Sequence, residues 1–483
     1  MKNFYTYDRL PVHSTITHTV RGGNWTFKVV NDKHNHPATL SKLALPVHCK
    51  RTEADHAEIK NLTQSNTHPQ AIYNNLLSQD KKFAIQDVYN DRNKLKKESL
   101  QGRAPVQALL HELEEYRLDS AESKETQHYY YKATKDHQDC LQTLFFTHPK
   151  SIEILKGNYD IILLDCTYKT NKFCMPLLHL TGVTCLITSF EIAYCFLPNE
   201  WQPAYEVAMQ ALYALFETIN KSLHCFLTDK EEALKAALCI YWPNAPQRLC
   251  LWHLLNNVKT HATQVWDICH FETQAEKEEA QKTHDAFLSG ICKMQSTLTP
   301  REFWQEWDNL WETYDTQPRL LKYLEDKWLP CGEEWADPWC KSTTDFGNLV
   351  TSCVEGLHAK LKSYLQVSTG HLYNVLKHVD VLITNKYQQF IAELSKCHVR
   401  HHYSHKHVAE LQDLFYEISP CALELLAQQI KLAKDLTCNQ PCTSSFSHKF
   451  NIPCAHNLSP RLHTTEGVLK IQPCKIDGHW HFK

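Results

Sequence analysis

Short apolar runs separated by polar turns dominate the middle of the chain. Ile161, Ile162, Leu163 and Leu164 lead to Asp165; further runs cover residues 177–184 and 190–197, and a last one, Cys225-Phe226-Leu227-Thr228, ends at Asp229. Continuous apolar runs of about four to eight residues between turn signals are the pattern of strands buried on both faces. Residues 204–219 and 230–241 carry helical spacing instead. Three strands, a helix, a strand and a helix predict an α/β domain with a mixed sheet and covering helices. The longest apolar stretch, 174–197, is interrupted by Pro176, His179 and Glu191 and divided at Thr188-Ser189. It reads as two strands, not a membrane span.

The flanks follow other periods. Alternation over residues 14–20 and 25–30 around Gly22-Gly23 predicts a β-hairpin. Residues 53–103 are helical in pattern and end in a basic run with Arg92, Lys94, Lys96, Lys97 and Arg103, read as a solvated face or a phosphate contact. Residues 104–150 mix helix and strand. From 254 to about 346 the pattern is helical, with Phe303, Trp307, Leu310, Trp311 and Tyr314 on one face, the core stripe of an inserted bundle. A helix over 348–365 and others to about 434 follow. Residues 398–407 (HVRHHYSHKH) read as a solvated helix end.

Composition narrows the class. A chain of 483 residues with 43% hydrophobic content and 12 tryptophans is a folded, multidomain protein. The formal charge of −3 puts any nucleic-acid contact on local patches. Residues 1–10 have no apolar core and no signal-peptide character. The 20 cysteines are scattered, often inside apolar runs as at Cys174, Cys185 and Cys195, and read as mostly reduced intracellular thiols.

Two strands ending in Asp165 and Asp229 would, side by side, bring two carboxylates to the carboxyl edge of the sheet, where open α/β sheets bind ligands. Holding like charges together is a way to bind hard divalent cations. A third carboxylate, Glu355, lies one turn before His358 on a predicted helix after the helical insertion. Three acids with two metals suit in-line attack on a phosphodiester. The plainer readings are a helix cap for Asp229, a turn residue for Asp165 and a surface residue for Glu355. His34 and His36 point the same way on an extended segment, as zinc ligands or as part of a polar loop.

The string Leu164-Asp165-Cys166-Thr167-Tyr168-Lys169-Thr170-Asn171, with Pro176-Leu177-Leu178 and Thr181-Gly182-Val183-Thr184, resembles the first catalytic block of Mutator-like (MULE) transposases. Thr228-Asp229 with Ala233-Leu234 resembles the second block, and Cys250-Leu251-Trp252-His253 the C-x-x-H signature after it. Val354-Glu355 with His358-Ala359 and Leu361-Lys362 resembles the block holding the final acid. The resemblance covers roughly residues 145–370. It implies an RNase H-like fold with a DDE triad of Asp165, Asp229 and Glu355, binding two Mg²⁺ or Mn²⁺ ions and interrupted by an all-helical insertion. Cys250 and His253 would be structural or help position end DNA, and His358 would support Glu355.

The ends resemble zinc modules of the same family. Trp25 with His34 and His36 is similar to the second half of a WRKY-like or FLYWCH-like finger, but no cysteine precedes Cys49. Either the chain begins inside that module or its zinc site is lost. Cys438, Cys442, Cys454 and His456 resemble a SWIM-type finger with altered front spacing, and supply four soft ligands for Zn²⁺.

The expected layout is therefore a finger remnant over 1–40, a helical linker or DNA-binding region over 41–144, and the first part of the catalytic core over 145–254. A helical insertion over 255–345, a core helix with the last acid over 346–370, C-terminal helices over 371–435, the SWIM-like finger over 436–460 and a tail over 461–483 complete it. The family implies a nuclear transposase, acting as a homo-oligomer on double-stranded DNA at terminal repeats and target, with no membrane partner. The alternative is a domesticated DNA-binding transcriptional regulator of the far-red-impaired-response branch, or an inactive remnant.

Overall fold

The computed structural model describes residues 14–18, 25–29, 51–79, 81, 83–118, 129–266, 273–348, 352–365, 370–399, 405–436, 442–464 and 469–482. The chain divides into two compact units, Met1–Gly102 and Arg103–Lys483. In the first, strands β1 (Ser14–His18) and β2 (Trp25–Val29) pair antiparallel with His18 opposite Trp25, the hairpin that the alternation predicts. Three helices follow, α1 (Glu53–Gln64), α2 (Pro69–Ser78) and α3 (Ile85–Ser99). Thr52 starts α1 through a capping box with Asp55. Ile59, Ile72, Leu76, Phe83 and Val88 close a small core. Arg51 clamps Asp87 at 2.6 Å and Asp91 at 3.0 Å across it. Lys94, Lys96 and Lys97 are exposed on α3, as both readings of this run require.

The second unit opens with α4 (Pro105–Leu118), β3 (Tyr130–Lys135), β4 (Leu141–Thr147) and α5 (Pro149–Gly157). Strands β5 (Ile161–Thr167), β6 (Leu177–Val183) and β7 (Ser189–Phe196) come next, then α6 (Gln202–Ile219), β8 (Cys225–Thr228), α7 (Glu232–Tyr241) and β9 (Gln247–Leu249). They form one seven-stranded sheet in the order β3-β4-β7-β6-β5-β8-β9. β5 runs antiparallel to β6 and parallel to β8. The sheet is mixed, as the pattern of runs predicts. It also takes in β3, ahead of the boundary expected at 145, and β9, too short to show a period. At Gly182 a side chain is excluded by the Phe190 ring, 2.4 Å from where a Cβ would sit.

The apolar runs serve both faces. Ile162, Leu164 and Phe226 pack under α5, α6 and α7, while Ile161, Leu163 and Leu227 pack against the C-terminal part of the chain. After β9 the chain is helical: α8 (Leu251–Trp266), α9 (Gln274–Gln295), α10 (Pro300–Thr313), α11 (Pro318–Lys327) and the single turns α12 (Gly332–Trp335) and α13 (Asp337–Cys340). Phe303, Trp307 and Leu310 of the predicted stripe are core and Tyr314 packs against it, but Trp311 is 40% exposed at the stripe's edge. Five helices follow: α14 (Ser352–Leu365), α15 (Leu372–Val399), α16 (Pro420–Asp435), α17 (Ser445–Phe450) and α18 (Ala455–Thr464). Among the described residues no helix is long and apolar enough to cross a membrane.

Residues 469–482 are not a loose tail. Trp480 is fully buried, Ile418 bridges to His481, and His479 inserts beneath β5 to meet Asp160. Nothing in the sequence pattern marks this, because the segment has neither helical nor strand periodicity.

Candidate active site at the carboxyl ends of β5 and β8

Parallel pairing sets Leu164 opposite Thr228, so Asp165 on β5 and Asp229, the residue that follows β8, come at the same end of neighbouring strands. Alternation along β5 puts Asp165 on the face of Leu163, while Asp229 lies just past the end of β8. Asp165 is 5% exposed. Burial, then the charges of Glu231 and Glu200, raise the Asp229 carboxyl to about 6. A buried acid with further carboxylates beside it at a strand end is pushed toward its protonated form.

Two helices deliver histidines to Asp165. His253 on α8 places Nε2 3.7 Å from Asp165 Oδ2, and His358 on α14 places Nδ1 at the same distance. Burial lowers the His358 imidazole to about 4, with Lys362 and His253 adding to it, so the ring is neutral at physiological pH. Glu355 lies one turn before His358 in α14; its side chain is outside the described residues. Cys250, three residues before His253, has a different setting. It is buried in the apolar cluster with Ile161, Leu163 and Leu227, and its N–H donates to Thr228 O at 2.7 Å. Backbone anchoring of the chain between β9 and α8 is therefore its visible part in the site.

One residue here was read only as a break in an apolar run. His179 on β6 pairs in register with Asp165, is fully buried, stacks on Tyr194 at 4.4 Å and leans on His358 at 5.3 Å. Neither of its ring nitrogens meets a partner among the described residues.

The motif around these acids is matched directly. Residues 161–257 match the MULE transposase domain. That stretch contains Asp165, Asp229, Cys250 and His253, and stops short of Glu355. Similar chains include the PKS-NRPS hybrid synthetase cheA of Chaetomium globosum, 21% identical over 83% of this chain and 9% of that protein. Protein FAR1-RELATED SEQUENCE 5 of Arabidopsis thaliana is 20% identical over 60% of this chain and 33% of its own length. Protein FAR1-RELATED SEQUENCE 4 of the same plant is 25% identical over 35% of this chain and 25% of its own length. The chain spans a third or less of each of these relatives. Residues 161–257 are thus a MULE transposase domain, and the chain has distant FAR1-related relatives.

A second group of ligand atoms lies away from the acids. Cys442, Cys454 and His456 bring their sulfur and nitrogen atoms within 4.8 Å of one another, with the two sulfurs 3.6 Å apart. They line a cavity of about 340 Å³ with Gln429, Leu436 and Phe446. Burial opposes ionisation of Cys454, but hydrogen bonds from Ser447, the Asn457 N–H, Cys442 and the His456 N–H outweigh it and lower its pKa. Cys438, His34 and His36 lie outside the described residues.

Proposed function

We propose that the MULE transposase domain is an RNase H-like DDE core that cleaves phosphodiesters at element ends and joins the 3′ ends to target DNA. The observation that supports this reading is the parallel pairing that sets Leu164 opposite Thr228 and so brings the residues that follow them, Asp165 and Asp229, to the same end of neighbouring strands. Asp165, Asp229 and Glu355 would hold Mg²⁺ or Mn²⁺, and all three offer the hard oxygen donors those cations require. Such ions, when bound, activate the attacking oxygen and stabilise the leaving one. The rest belongs to the protein. β5 and β8 fix the spacing of the two aspartates through a shared ladder. The neutral His358, and His253, would orient the Asp165 carboxylate that each approaches at 3.7 Å, and α14 also carries Glu355.

Cys442, Cys454 and His456, with Cys438 as fourth ligand, would bind a structural Zn²⁺. DNA as partner, assembly as a homo-oligomer and nuclear residence belong to the same reading. The distant FAR1-related similarity supports a second one, a domesticated DNA-binding regulator that retains the acids without catalysis.

The test is metal-dependent cleavage and strand transfer on DNA carrying the element's terminal repeats. Wild type is compared with Asp165→Asn, Asp229→Asn and Glu355→Gln. Activity with Mg²⁺ or Mn²⁺ that falls at least about a thousandfold in each variant is expected, the scale on which members of a catalytic unit fail together. Tight DNA binding without cleavage in wild type, equal in the variants, would favour the regulator.

A further inference from the structure

We propose that Tyr168, Lys169, Lys172, Phe173 and Trp201 form a rim that takes an unpaired nucleotide next to the acidic pair, with its base stacked on Trp201. This rests on the phosphodiester reading above. Trp201 is 73% exposed, far more than a side chain of its size ordinarily is. Its exposure is not slack. The Trp201 N–H donates to Asn199 Oδ1 at 3.1 Å, and its carbonyl accepts the Ala204 and Tyr205 N–H groups that start α6. A fixed backbone thus presents an indole to solvent.

Its neighbour ties it to the site. Glu200 accepts the Tyr168 hydroxyl at 2.6 Å, and its charge is one of those acting on Asp229. Tyr168 is itself 50% exposed and follows Asp165 by three residues. Beyond it the loop is rigid. Asn171 Oδ1 accepts the Phe173 and Met175 N–H groups, Asn171 Nδ2 donates to Met175 O at 2.8 Å, and the Lys172 N–H donates to Gly370 O at 2.9 Å. Lys169 and Lys172 are exposed on this loop, with the Lys172 ammonium 4.8 Å from the Phe173 ring, itself 46% exposed.

Aromatic faces interleaved with lysines match a single strand, whose bases offer π-faces and whose backbone carries charge. A paired duplex hides its base faces, so an exposed indole at a phosphodiester site gains contact only from a base that has left the stack. The lysines and the acids leave an apolar peptide little to recognise.

The experiment uses the full chain and fluorescence anisotropy, without added divalent cation. Two labelled probes are compared, a blunt duplex and the same duplex with a short unpaired thymidine tail. Wild type is expected to prefer the tailed probe by about tenfold, the scale of one stacked base. Trp201→Ala brings the tailed-to-blunt ratio to about one, and Trp201→Phe, which keeps a ring, recovers most of it. Lys169→Ala with Lys172→Ala weakens both probes and flattens the salt dependence. Equal affinity for both probes in wild type, or a preference that survives Trp201→Ala, overturns the stacking rim while leaving the DNA reading intact. A wild type that binds neither probe overturns the DNA reading, and the rim with it.

Discussion

Asp160 and Asp229 flank the same pair of parallel strands, and their surroundings push their carboxyls in opposite directions. At Asp160 burial works to raise the pKa, but the His224 imidazole at 3.4 Å and the hydrogen bond with His479 at 2.9 Å outweigh it and hold the group at about 2. At Asp229 burial dominates, Glu231 and Glu200 add to it, and backbone N–H groups offset it only in part. The signs follow from linkage. Asp160 stabilises the fold above the unfolded-chain value near 4, and that stability is lost as pH falls through about 2. Asp229 binds its proton more tightly when folded, so stability falls as pH rises from about 4 to 6 and stays low above. Asp229→Asn is therefore expected to raise the melting temperature of the metal-free protein by about 3 °C at pH 7 and not at pH 4. An equal effect at both pH values would refute the assignment. The Asp160 carboxylate, 3.4 Å from its Nδ1, also raises the His224 imidazole, against burial. Its contribution is full below about 6.5 and is lost as pH rises through the shifted value. Asp160→Asn should lower the His224 midpoint measured by NMR titration; a midpoint that stays put would mean the raised value has another source.

At the level of elements, the strands that position the acids were legible because they are buried on both faces. Residues 161–164, 177–184, 190–197 and 225–228 have no polar alternation to confuse with a helix, and each falls on β5, β6, β7 or β8. What the pattern missed is held by single polar contacts. β9 has three residues, and its Arg248 is 3% exposed. Arg248 pairs with the buried Asp345, reaches Asp337 at 3.2 Å and donates to Trp335 O at 3.4 Å. One guanidinium thus fastens the end of the helical insertion to the edge of the sheet, just before α14 returns with Glu355. No spacing rule announces such a residue, nor the pairing of His179 with Asp165, which depends on strand register. Arg248→Met leaves Asp345 buried without its main partner and should cost about 3 kcal/mol. Thermal unfolding would show the loss, and trypsin should cut faster at Lys341, between α13 and α14. Unchanged cleavage there would mean that α12 and α13 hold this joint without the arginine.

Across the whole second unit, the face of the sheet that bears Asp165 is backed by residues from the far end of the chain. Leu163, Leu227 and Cys250 share one apolar cluster with Leu423, Leu426 and Ile430 of α16, Leu458 of α18 and Trp480. The proposed zinc ligands sit at the seam of that cluster. Cys454 precedes α18, the Ala455 N–H donates to Gln429 of α16, and the Trp480 indole donates to Phe450 O at 2.7 Å. The same short α17 segment accepts from Phe346 and Thr344, on the approach to α14. Zinc would therefore set the backing of the acidic pair without touching it. About one zinc per chain is expected by mass spectrometry, lost in Cys442→Ser and Cys454→Ser and kept in Asp165→Asn. Because binding energy at a structural zinc is folding energy, a zinc-selective chelator should lower the melting temperature and speed hydrogen exchange at the amides of β5 and β8. If zinc leaves while those amides keep their protection, the C-terminal helices open as a unit of their own, and the acidic pair is supported from the α6 and α7 side alone.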